Sequence, residues 1–216
     1  MRLAKDSLDV GLYTDRYDEL RAFYVDRLGL PYEELLKAGR GIHQHRVGLH
    51  GSVLKLNSSR EPLADAPTTF IRLDLHGDHE AELVDPDGTE VRISPDVEQV
   101  AVHWATSNAD QLAALLRDGF DATPVGDDEW RIGRTHVVLH ERPVAAGPLR
   151  ARGFRYLTVQ VFDVRAEHAR LLALGWREAT APIKLGETAY ISFVEDPDGA
   201  SIEISQRASL TGPLPT

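Results

Sequence analysis

The chain has 216 residues, 42% of them apolar, and a formal net charge of −10 at pH 7. This length allows one large or two small domains with a hydrophobic core, and the acidic balance argues against sequence-independent nucleic-acid binding. The chain has no cysteine, which excludes disulfides, thiolate nucleophiles and cysteine-ligated zinc.

The first half of the chain is typical of a βαβββ unit followed by a shortened copy. Residues 1–10 contain no apolar run of signal-peptide length, and no later run is long enough to span a membrane, so a cytoplasmic protein without membrane contact is expected. Strands are predicted at 8–14, 32–37, 42–48 and 51–57, with a helix from Asp15 or Asp18 to about Leu28. Three further strands are predicted at 68–75, 80–84 and 89–94, with no helix between them.

The second half repeats this pattern twice. A strand at 99–105, a helix at 109–118 and strands at 121–124, 129–133 and 135–140 form a third unit. After a linker with Pro and Gly, a fourth unit begins near Arg155, continues through a helix at 165–174 and ends at about residue 205.

Two nearly identical strings show that the units are related. Residues 83–94 read LVDPDGTEVRIS and residues 194–205 read VEDPDGASIEIS, and each DPDG predicts a turn that enters an alternating strand. The spacing of these turns and of the helix-ending glycines fits a unit of about 56 residues.

These patterns predict an α+β fold of tandem βαβββ modules, paired into curved, half-barrel mixed sheets, with the second module truncated. We expect an N-terminal half at 1–95, with modules 8–57 and 68–94, and a C-terminal half at 96–207, with modules 98–141 and 154–207. Residues 208–216 are expected to be a flexible tail.

The modules resemble those of the vicinal oxygen chelate superfamily, which includes glyoxalase I, bleomycin-resistance proteins and extradiol dioxygenases. The resemblance covers residues 8–205 and rests on the first strand DVGLYT, the following LRAFY and LGL segments, and DPDG followed by a strand with Glu203. It implies the paired-module scaffold, but this scaffold supports many different reactions.

In enzymes of this superfamily, side chains on the first and last strands of modules hold a divalent metal that binds oxygens of the substrate. The resemblance places Asp9, Gln99 and Tyr156 on first strands, and Lys55, Arg92, Val138 and Glu203 on last strands. Lys55 and Arg92 are cations without a free lone pair, so they suit an ion pair, such as Lys55 with Asp9, or an anionic substrate better than a metal.

The second half retains more potential ligands. The resemblance places Gln99 and Glu203 at ligand positions, and His103 and Gln160 lie four residues further along the first strands on the same face. A metal site of Glu203 and His103 with Gln99 or Gln160 suits Mn²⁺, Fe²⁺, Zn²⁺ or Ni²⁺ by ligand type. The alternative is that His103 is a core histidine beside Trp104 and that Glu203 bonds a neighbouring strand. His43 and His45 can form a metal-binding pair on one strand face, but an ordinary polar face is the simpler interpretation. No nucleotide cofactor is expected, since the chain lacks a Gly-rich phosphate loop.

Two functions therefore remain open. The first is a metal-dependent isomerase, epimerase or lyase that acts on a small oxygenated molecule in the C-terminal half, with Tyr156 and Gln160 as catalytic residues. The second is a metal-free binding protein of the bleomycin-resistance type, and an acidic protein of that type suits a cationic ligand. Ring cleavage is less expected, because histidines are absent at the Gln99 and Tyr156 places. A homo-oligomer is compatible with either function. The candidate substrate-binding residues are Tyr13, Phe162, His136, His140, Lys55 and Arg92.

Overall fold

A computed structural model describes residues 1–39 and 41–215 of the chain. It contains four units in the predicted order, and only the second lacks a helix among the described residues. The first unit comprises β1 (Asp9–Thr14), α1 (Tyr17–Arg21), a π-helical segment (Ala22–Arg27), β2 (Tyr32–Gly39), β3 (Ile42–Leu49) and β4 (Ser52–Ser59). The second comprises β5 (Phe70–His76), β6 (Ala81–Val84) and β7 (Glu90–Ser94).

The third and fourth units each contain a full helix. The third comprises β8 (Val100–Thr106), α2 (Ala109–Phe120), β9 (Thr123–Pro124), β10 (Glu129–Ile132) and β11 (Thr135–Glu141). The fourth comprises β12 (Gly153–Gln160), α3 (Val164–Ala173), β13 (Arg177–Leu185), β14 (Ala189–Glu195) and β15 (Ser201–Arg207), and the short helix α4 (Ala208–Thr211) follows it. The predicted α+β fold with curled mixed sheets is confirmed.

The sheets join units that are not neighbours in the chain. An eight-stranded sheet has the order β13-β14-β15-β12-β1-β4-β3-β2, and a seven-stranded sheet has the order β6-β7-β5-β8-β11-β10-β9. The first unit therefore pairs with the fourth through antiparallel β1 and β12, and the second pairs with the third through antiparallel β5 and β8. The sheets do not follow the division at residue 95 that the sequence suggested, because each first strand pairs with the first strand of a partner unit in the other half.

The two sheets share one hydrophobic core. Side chains alternate between the two sides of a strand, and Val10 and Leu12 of β1 belong to the same buried cluster as Val102 and Trp104 of β8. The helices contribute Leu20, Leu112 and Leu171 to this cluster, among others. Because the apolar faces of both sheets meet in this core, their polar faces lie on opposite sides of the molecule.

The first helix differs from the prediction. Only Tyr17–Arg21 is α-helical, and Ala22–Arg27 continues as a π-helix, in which the Leu28 N–H bonds to the Phe23 carbonyl. Asp15 does not cap the helix, because its Oδ2 accepts a hydrogen bond from the Leu63 backbone N–H at 2.9 Å.

The two DPDG segments are turns, as predicted, but their first aspartates differ in environment. Asp85 Oδ1 accepts the backbone N–H of Thr89, and its Oδ2 accepts the Tyr24 hydroxyl at 2.8 Å. Asp196 Oδ1 accepts the backbone N–H of Ala200, but its buried Oδ2 has no partner among the described residues. Burial accordingly raises the pKa of Asp196 to about 7, and it raises the pKa of Asp85 as well.

Among the residues described, no helix is long and apolar enough to cross a bilayer.

Asp196 should make the protein less stable as the pH rises. The pKa of Asp196 is higher in the folded chain than in the unfolded chain, so the folded chain holds the carboxyl proton more tightly. The stability that this proton contributes is fully present below the unfolded pKa and is lost as the pH rises through about 7. The free energy of unfolding should fall by roughly 3 to 5 kcal/mol over this range from this group alone. Asp196→Asn should flatten the curve, as measured by urea denaturation at a series of pH values.

The control is Asp85→Asn in the related turn. Both oxygens of Asp85 accept hydrogen bonds, so we expect this variant to change the pH dependence less. An unchanged pH profile in Asp196→Asn would contradict the assignment.

Candidate functional site

Strand register locates the position that corresponds to a metal ligand in each unit. In the eight-stranded sheet Lys55 lies beside Gly11, and Glu203 lies beside Thr158. The first-strand positions two residues earlier are Asp9 and Tyr156, as assigned from the sequence.

In the seven-stranded sheet we counted back the same two residues from the first-strand residue that pairs with each last-strand position. This changes the first-strand ligand position of the third unit and gives one for the second unit. Val138 lies beside His103, so the first-strand position of the third unit is Ala101 rather than Gln99. In the second unit, where no residue was assigned, Arg92 lies beside Asp74, and the offset leads to Arg72. The residues at the positions that correspond to metal ligands in this sheet are therefore two arginines, an alanine and a valine, none of which suits a divalent metal.

A buried ion pair occupies the centre of the polar face of the eight-stranded sheet. The Lys55 ammonium donates to Glu203 Oε2 at 2.6 Å and to the Thr158 hydroxyl at 2.7 Å. Thr158 in turn donates to the same Glu203 oxygen at 2.7 Å. Burial lowers the pKa of Lys55, and the charge of Glu203 opposes this shift. The predicted partner of Lys55 was Asp9, but the carboxylate that it contacts is Glu203.

Asp9 has a different partner. The Lys5 ammonium donates to Asp9 Oδ1 at 2.6 Å, and the Gln160 amide donates to Asp9 Oδ2 at 3.0 Å. Burial raises the pKa of Asp9, but the positive charges of Lys55 and Lys5 outweigh it, so the pKa is lowered. The two central carboxylates of this face, Asp9 and Glu203, thus each bond a lysine.

Tyrosines close this face further. Tyr13 and Tyr156 form a small apolar cluster with Ile42, and Phe193 packs against it. The Tyr156 hydroxyl accepts a hydrogen bond from the Asn57 amide at 3.0 Å, and burial together with the charge of Glu203 raises its pKa well above the ordinary value. A protonated, fully buried phenol is a poor base. Tyr156 and Gln160, the predicted catalytic residues, therefore lie buried among the polar side chains of this face, where Tyr156 bonds Asn57 and Gln160 bonds Asp9.

The structure does not bring together the predicted metal set. Glu203 lies on β15 of the eight-stranded sheet, whereas His103 lies on β8 of the seven-stranded sheet. Gln99 lies just before β8, where its side-chain oxygen accepts the Ser7 hydroxyl at 3.1 Å. Within residues 1–39 and 41–215, no cluster of three or more His, Asp or Glu side chains has metal-binding geometry. The residues present do not fit the divalent metal that the superfamily implies.

The polar face of the seven-stranded sheet carries a chain of three side chains. His103 Nε2 lies 3.1 Å from Asp74 Oδ2, and His103 Nδ1 lies 2.8 Å from His140 Nε2. Both nitrogens of His103 are therefore engaged in hydrogen bonds. The two imidazole rings are stacked, with centroids 5.0 Å apart. Asp74 and His103 are buried, whereas His140 is half-buried and lies toward the surface.

Two arginines flank this chain. Arg72 Nε donates to Asp74 Oδ1 at 2.7 Å, and Arg92 Nη1 lies 3.7 Å from Asp74 Oδ2. Their side chains are 32% and 33% exposed. Arg92 also contacts Glu80, which is 54% exposed and accepts the Ser94 hydroxyl at 2.5 Å. Asp74 holds both guanidinium groups near one point, while each keeps part of its surface open to solvent.

His136 shares this face. It lies beside Ala101 in the parallel pair of β11 and β8, four residues before His140, and is half-buried. The seven-stranded sheet therefore gathers three of the predicted binding residues, which are Arg92, His136 and His140.

Other predicted residues lie elsewhere. Phe162 follows β12 and is 37% exposed, with the Arg2 guanidinium 4.2 Å from its ring centroid. On β3, His45 stacks on Tyr17 at 3.7 Å, and His43 lies on the same strand face. The His43 and His45 pair is thus part of a packed strand face, as the simpler interpretation proposed.

Sequence reasoning missed Arg72 and Asp74. Their only signal was the alternation of polar and apolar residues in the string FIRLDLH of β5. Their importance depends on the pairing of β5 with β8, which brings Arg72 beside His103.

Four related units in two curled sheets define a class of protein built from paired βαβββ modules. Residues 8–204 match the Glyoxalase/Bleomycin resistance protein/Dioxygenase superfamily, and the chain belongs to this superfamily.

Solved structures show the same fold. Glyoxalase I from Zea mays superposes with a TM-score of 0.76 at 13% identity, covering 93% of this chain and 92% of that chain. A putative dioxygenase from Bacillus subtilis gives a TM-score of 0.69 at 12% identity, covering 92% and 84% of the two chains. The cppA protein from Streptococcus pneumoniae gives 0.56 at 11% identity, covering 95% and 98%. No curated protein sequence matches the chain.

The Lys55–Glu203 pair should show strong energetic coupling. Lys55→Met or Glu203→Gln alone leaves one buried charge without its partner and should lower the free energy of unfolding by about 3 to 5 kcal/mol. The double variant removes both charges and should be more stable than the sum of the single losses indicates. Urea denaturation at pH 7 measures all four proteins. Strictly additive losses would contradict the ion pair.

Proposed function

We propose that this chain binds a small, oxygen-bearing anion on the polar face of the seven-stranded sheet, and that binding requires no divalent metal. The observation that carries the proposal is the pair of partly exposed guanidinium groups, Arg72 and Arg92, held on either side of a buried carboxylate. An arginine presents donors in a planar fork that matches a carboxylate.

Local charge decides this choice of ligand. The net charge of −10 favoured a cationic ligand when only composition was considered. On this face, however, Asp74 is buried and engaged with Arg72 and His103. The only acidic side chain that contacts the outer part of Arg92, within the described chain, is the exposed Glu80. Glu80 can swing away into solvent, so an incoming anion can take its place on Arg92.

The eight-stranded sheet is a less suitable site. Its central polar side chains are buried and bond to one another or to neighbouring side chains; they are Asp9, Lys55, Thr158 and Glu203. A ligand there would have to break a buried ion pair, at a cost of several kcal/mol.

The metal-dependent isomerase, epimerase or lyase predicted from the sequence is the less favoured function. It requires Glu203 as a metal ligand, but the oxygen of Glu203 that faces Lys55 and Thr158 already accepts two hydrogen bonds. A protonated lysine in contact with that carboxylate repels a divalent cation. The metal-free binding protein, which was the second candidate, agrees better with these contacts.

Anion binding can be measured by calorimetry with oxalate as the probe. Arg92→Gln should weaken oxalate binding by about ten- to a hundredfold, because a charge-assisted hydrogen bond is lost. Glu80→Gln should strengthen binding, because it removes the competing carboxylate. Arg117→Gln is a matched control on the exposed side of α2, where Arg117 bonds only Asp118 among the described residues. Equal affinities in all four proteins would overturn the proposed site.

Metal content gives a separate test. Protein purified without added metal should contain divalent metal far below one equivalent per chain by elemental analysis, and prolonged chelation should leave oxalate affinity unchanged. Stoichiometric metal that is lost in Glu203→Gln would instead support the metal-dependent enzyme.

A further inference from the structure

A cleft between the two sheets contains histidines that the proposed anion site does not use. It has a volume of about 480 Å³ and is lined by the hairpin turn between β3 and β4 and by the end of β5. Buried apolar side chains also line it, among them Leu30, Leu75 and Ile93. His50 lies on the hairpin turn and His76 ends β5, so each sheet contributes one histidine to the cleft.

His76 is held in a single tautomer. Its Nδ1 lies 2.8 Å from the carbonyl oxygen of Val97. A carbonyl oxygen only accepts hydrogen bonds, so Nδ1 carries the proton, and Nε2 of the neutral ring is left with a lone pair. Histidines that bind metals usually donate their other ring N–H to a carbonyl or a carboxylate in this way. The bond to Val97 therefore fixes the orientation of the ring and the nitrogen that can act as a ligand.

The ring of His50 lies against the ring of His76. The two centroids are 5.6 Å apart, and the ring planes are 83° from parallel. Because a Zn–N bond is about 2.0 to 2.1 Å long, two imidazoles on one tetrahedral ion have centroids about 5 Å apart. His50 is exposed, so rotation of its side chain can direct a ring nitrogen at an ion that is bound to His76 Nε2.

His50 is available as a ligand near pH 7. Burial and, after it, the charge of His76 lower the pKa of His50, so the ring is neutral and keeps a lone pair. Within the described chain, neither ring nitrogen of His50 has a hydrogen-bond partner. The backbone of His50 has a φ of +45°, a left-handed conformation that Asn or Gly adopts more easily in a two-residue hairpin turn. A histidine serves this turn less well than Asn would, which points to a role for its side chain.

Gln99 sets the distance between the two segments that carry the histidines. Its backbone carbonyl accepts the His76 N–H at 3.2 Å, and its side-chain oxygen accepts the Ser7 hydroxyl at 3.1 Å. A Cβ at Gly51 would lie 2.7 Å from Gln99 Nε2, so the hairpin turn packs directly against this amide. The turn and the end of β5 are thus both held against one residue.

We propose that His50 and His76 form a binding site for a late divalent transition-metal ion, with Zn²⁺ as the test ion, and that the ion links the β3–β4 turn to β5. Imidazole nitrogen is a suitable ligand for these ions. The chain supplies two ligands, and water or a bound small molecule completes the coordination. Asp78 and His79 line the same cleft and are exposed to solvent.

This site differs from the metal positions that the superfamily implies. Those positions lie on first and last strands, whereas His50 lies on a turn between strands. Two ligands from the chain hold an ion less tightly than the three or four of an established zinc site, so the ion is lost when the protein is purified without added metal. Binding here is therefore compatible with the low metal content expected above, and it does not depend on Glu203.

Calorimetric titration of chelator-treated protein with Zn²⁺ tests the site. His76→Gln should weaken Zn²⁺ binding by at least about tenfold, because even the loss of an outer partner of a ligand has an effect of this size. His50→Asn should cause a similar loss, and it keeps the turn intact because Asn adopts the left-handed conformation readily. His43→Gln is the matched control, since it removes an imidazole from the other candidate pair, and it should bind Zn²⁺ as the wild type does.

Thermal unfolding provides a second measurement. An ion that binds only the folded chain stabilises it by mass action, so saturating Zn²⁺ should raise the unfolding midpoint of the wild type and of His43→Gln. The midpoints of His50→Asn and His76→Gln should not rise. Without Zn²⁺, His50→Asn should unfold at the temperature of the wild type or above it, which shows that the variant is folded.

Each outcome decides for or against the site. Absence of Zn²⁺ binding at millimolar Zn²⁺, or unchanged binding in both His50→Asn and His76→Gln, would overturn it. Loss of binding in His43→Gln alone would assign the ion to β3 and would overturn it as well. Loss in both cleft variants with an unaffected His43→Gln would support it. Oxalate affinity should be the same in His50→Asn as in the wild type, so the anion site and the metal site can fail independently.

Discussion

The buried ion pair between Lys55 and Glu203 is the constraint on which both the assembly and the chemistry of this protein depend. The two residues are 148 positions apart in the chain and lie on the last strands of the first and fourth units. Removing two charges from water is costly, and this cost is offset only when the partners meet with good geometry and further hydrogen bonds, which Thr158 provides here. The pair therefore favours the one pairing of units that brings its members together. It also places an ammonium group against Glu203, the carboxylate that the sequence suggested as a metal ligand.

The polar faces of the two sheets therefore have different roles. The face of the eight-stranded sheet is closed by ion pairs and tyrosines, so it stabilises the join between the first and fourth units. The face of the seven-stranded sheet keeps partly exposed arginines and a half-buried histidine. A duplicated scaffold permits this division, because a closed site in one sheet leaves the other sheet free to keep an accessible one.

The two sheets also differ in how charge is balanced. In the eight-stranded sheet the central carboxylates Asp9 and Glu203 each bond a lysine, and a lysine is a point charge that one carboxylate can neutralise. In the seven-stranded sheet the carboxylate of Asp74 contacts Arg72, Arg92 and His103. Each guanidinium group has five N–H donors, more than its contact with Asp74 uses. Each lysine of the first arrangement bonds one carboxylate, whereas the arginines of the second are partly exposed and offer donors that a bound anion can use.

By itself, the sequence determined the local structure. Hydrophobic periodicity, the DPDG turns and the repeated strings predicted nearly every strand, the two long helices and the truncated second unit, because these features depend on neighbouring residues. It also indicated that Lys55 and Arg92 do not suit a metal, since this follows from residue type alone. The π-helical end of the first helix, by contrast, carried no local signal.

Only the tertiary structure decided which units pair and which side chains meet. Strand pairing between distant units is a long-range choice, and it placed Glu203 with Lys55 instead of His103, and His103 with Asp74 and His140 instead of Glu203. Strand register then changed the first-strand ligand position of the third unit from Gln99 to Ala101. Residues two apart on a strand point to the same face but have different neighbours on the adjacent strand, so the sequence alone could not distinguish them. The sequence therefore determined which residues face the polar sides, and the pairing of the units decided which of them form a site.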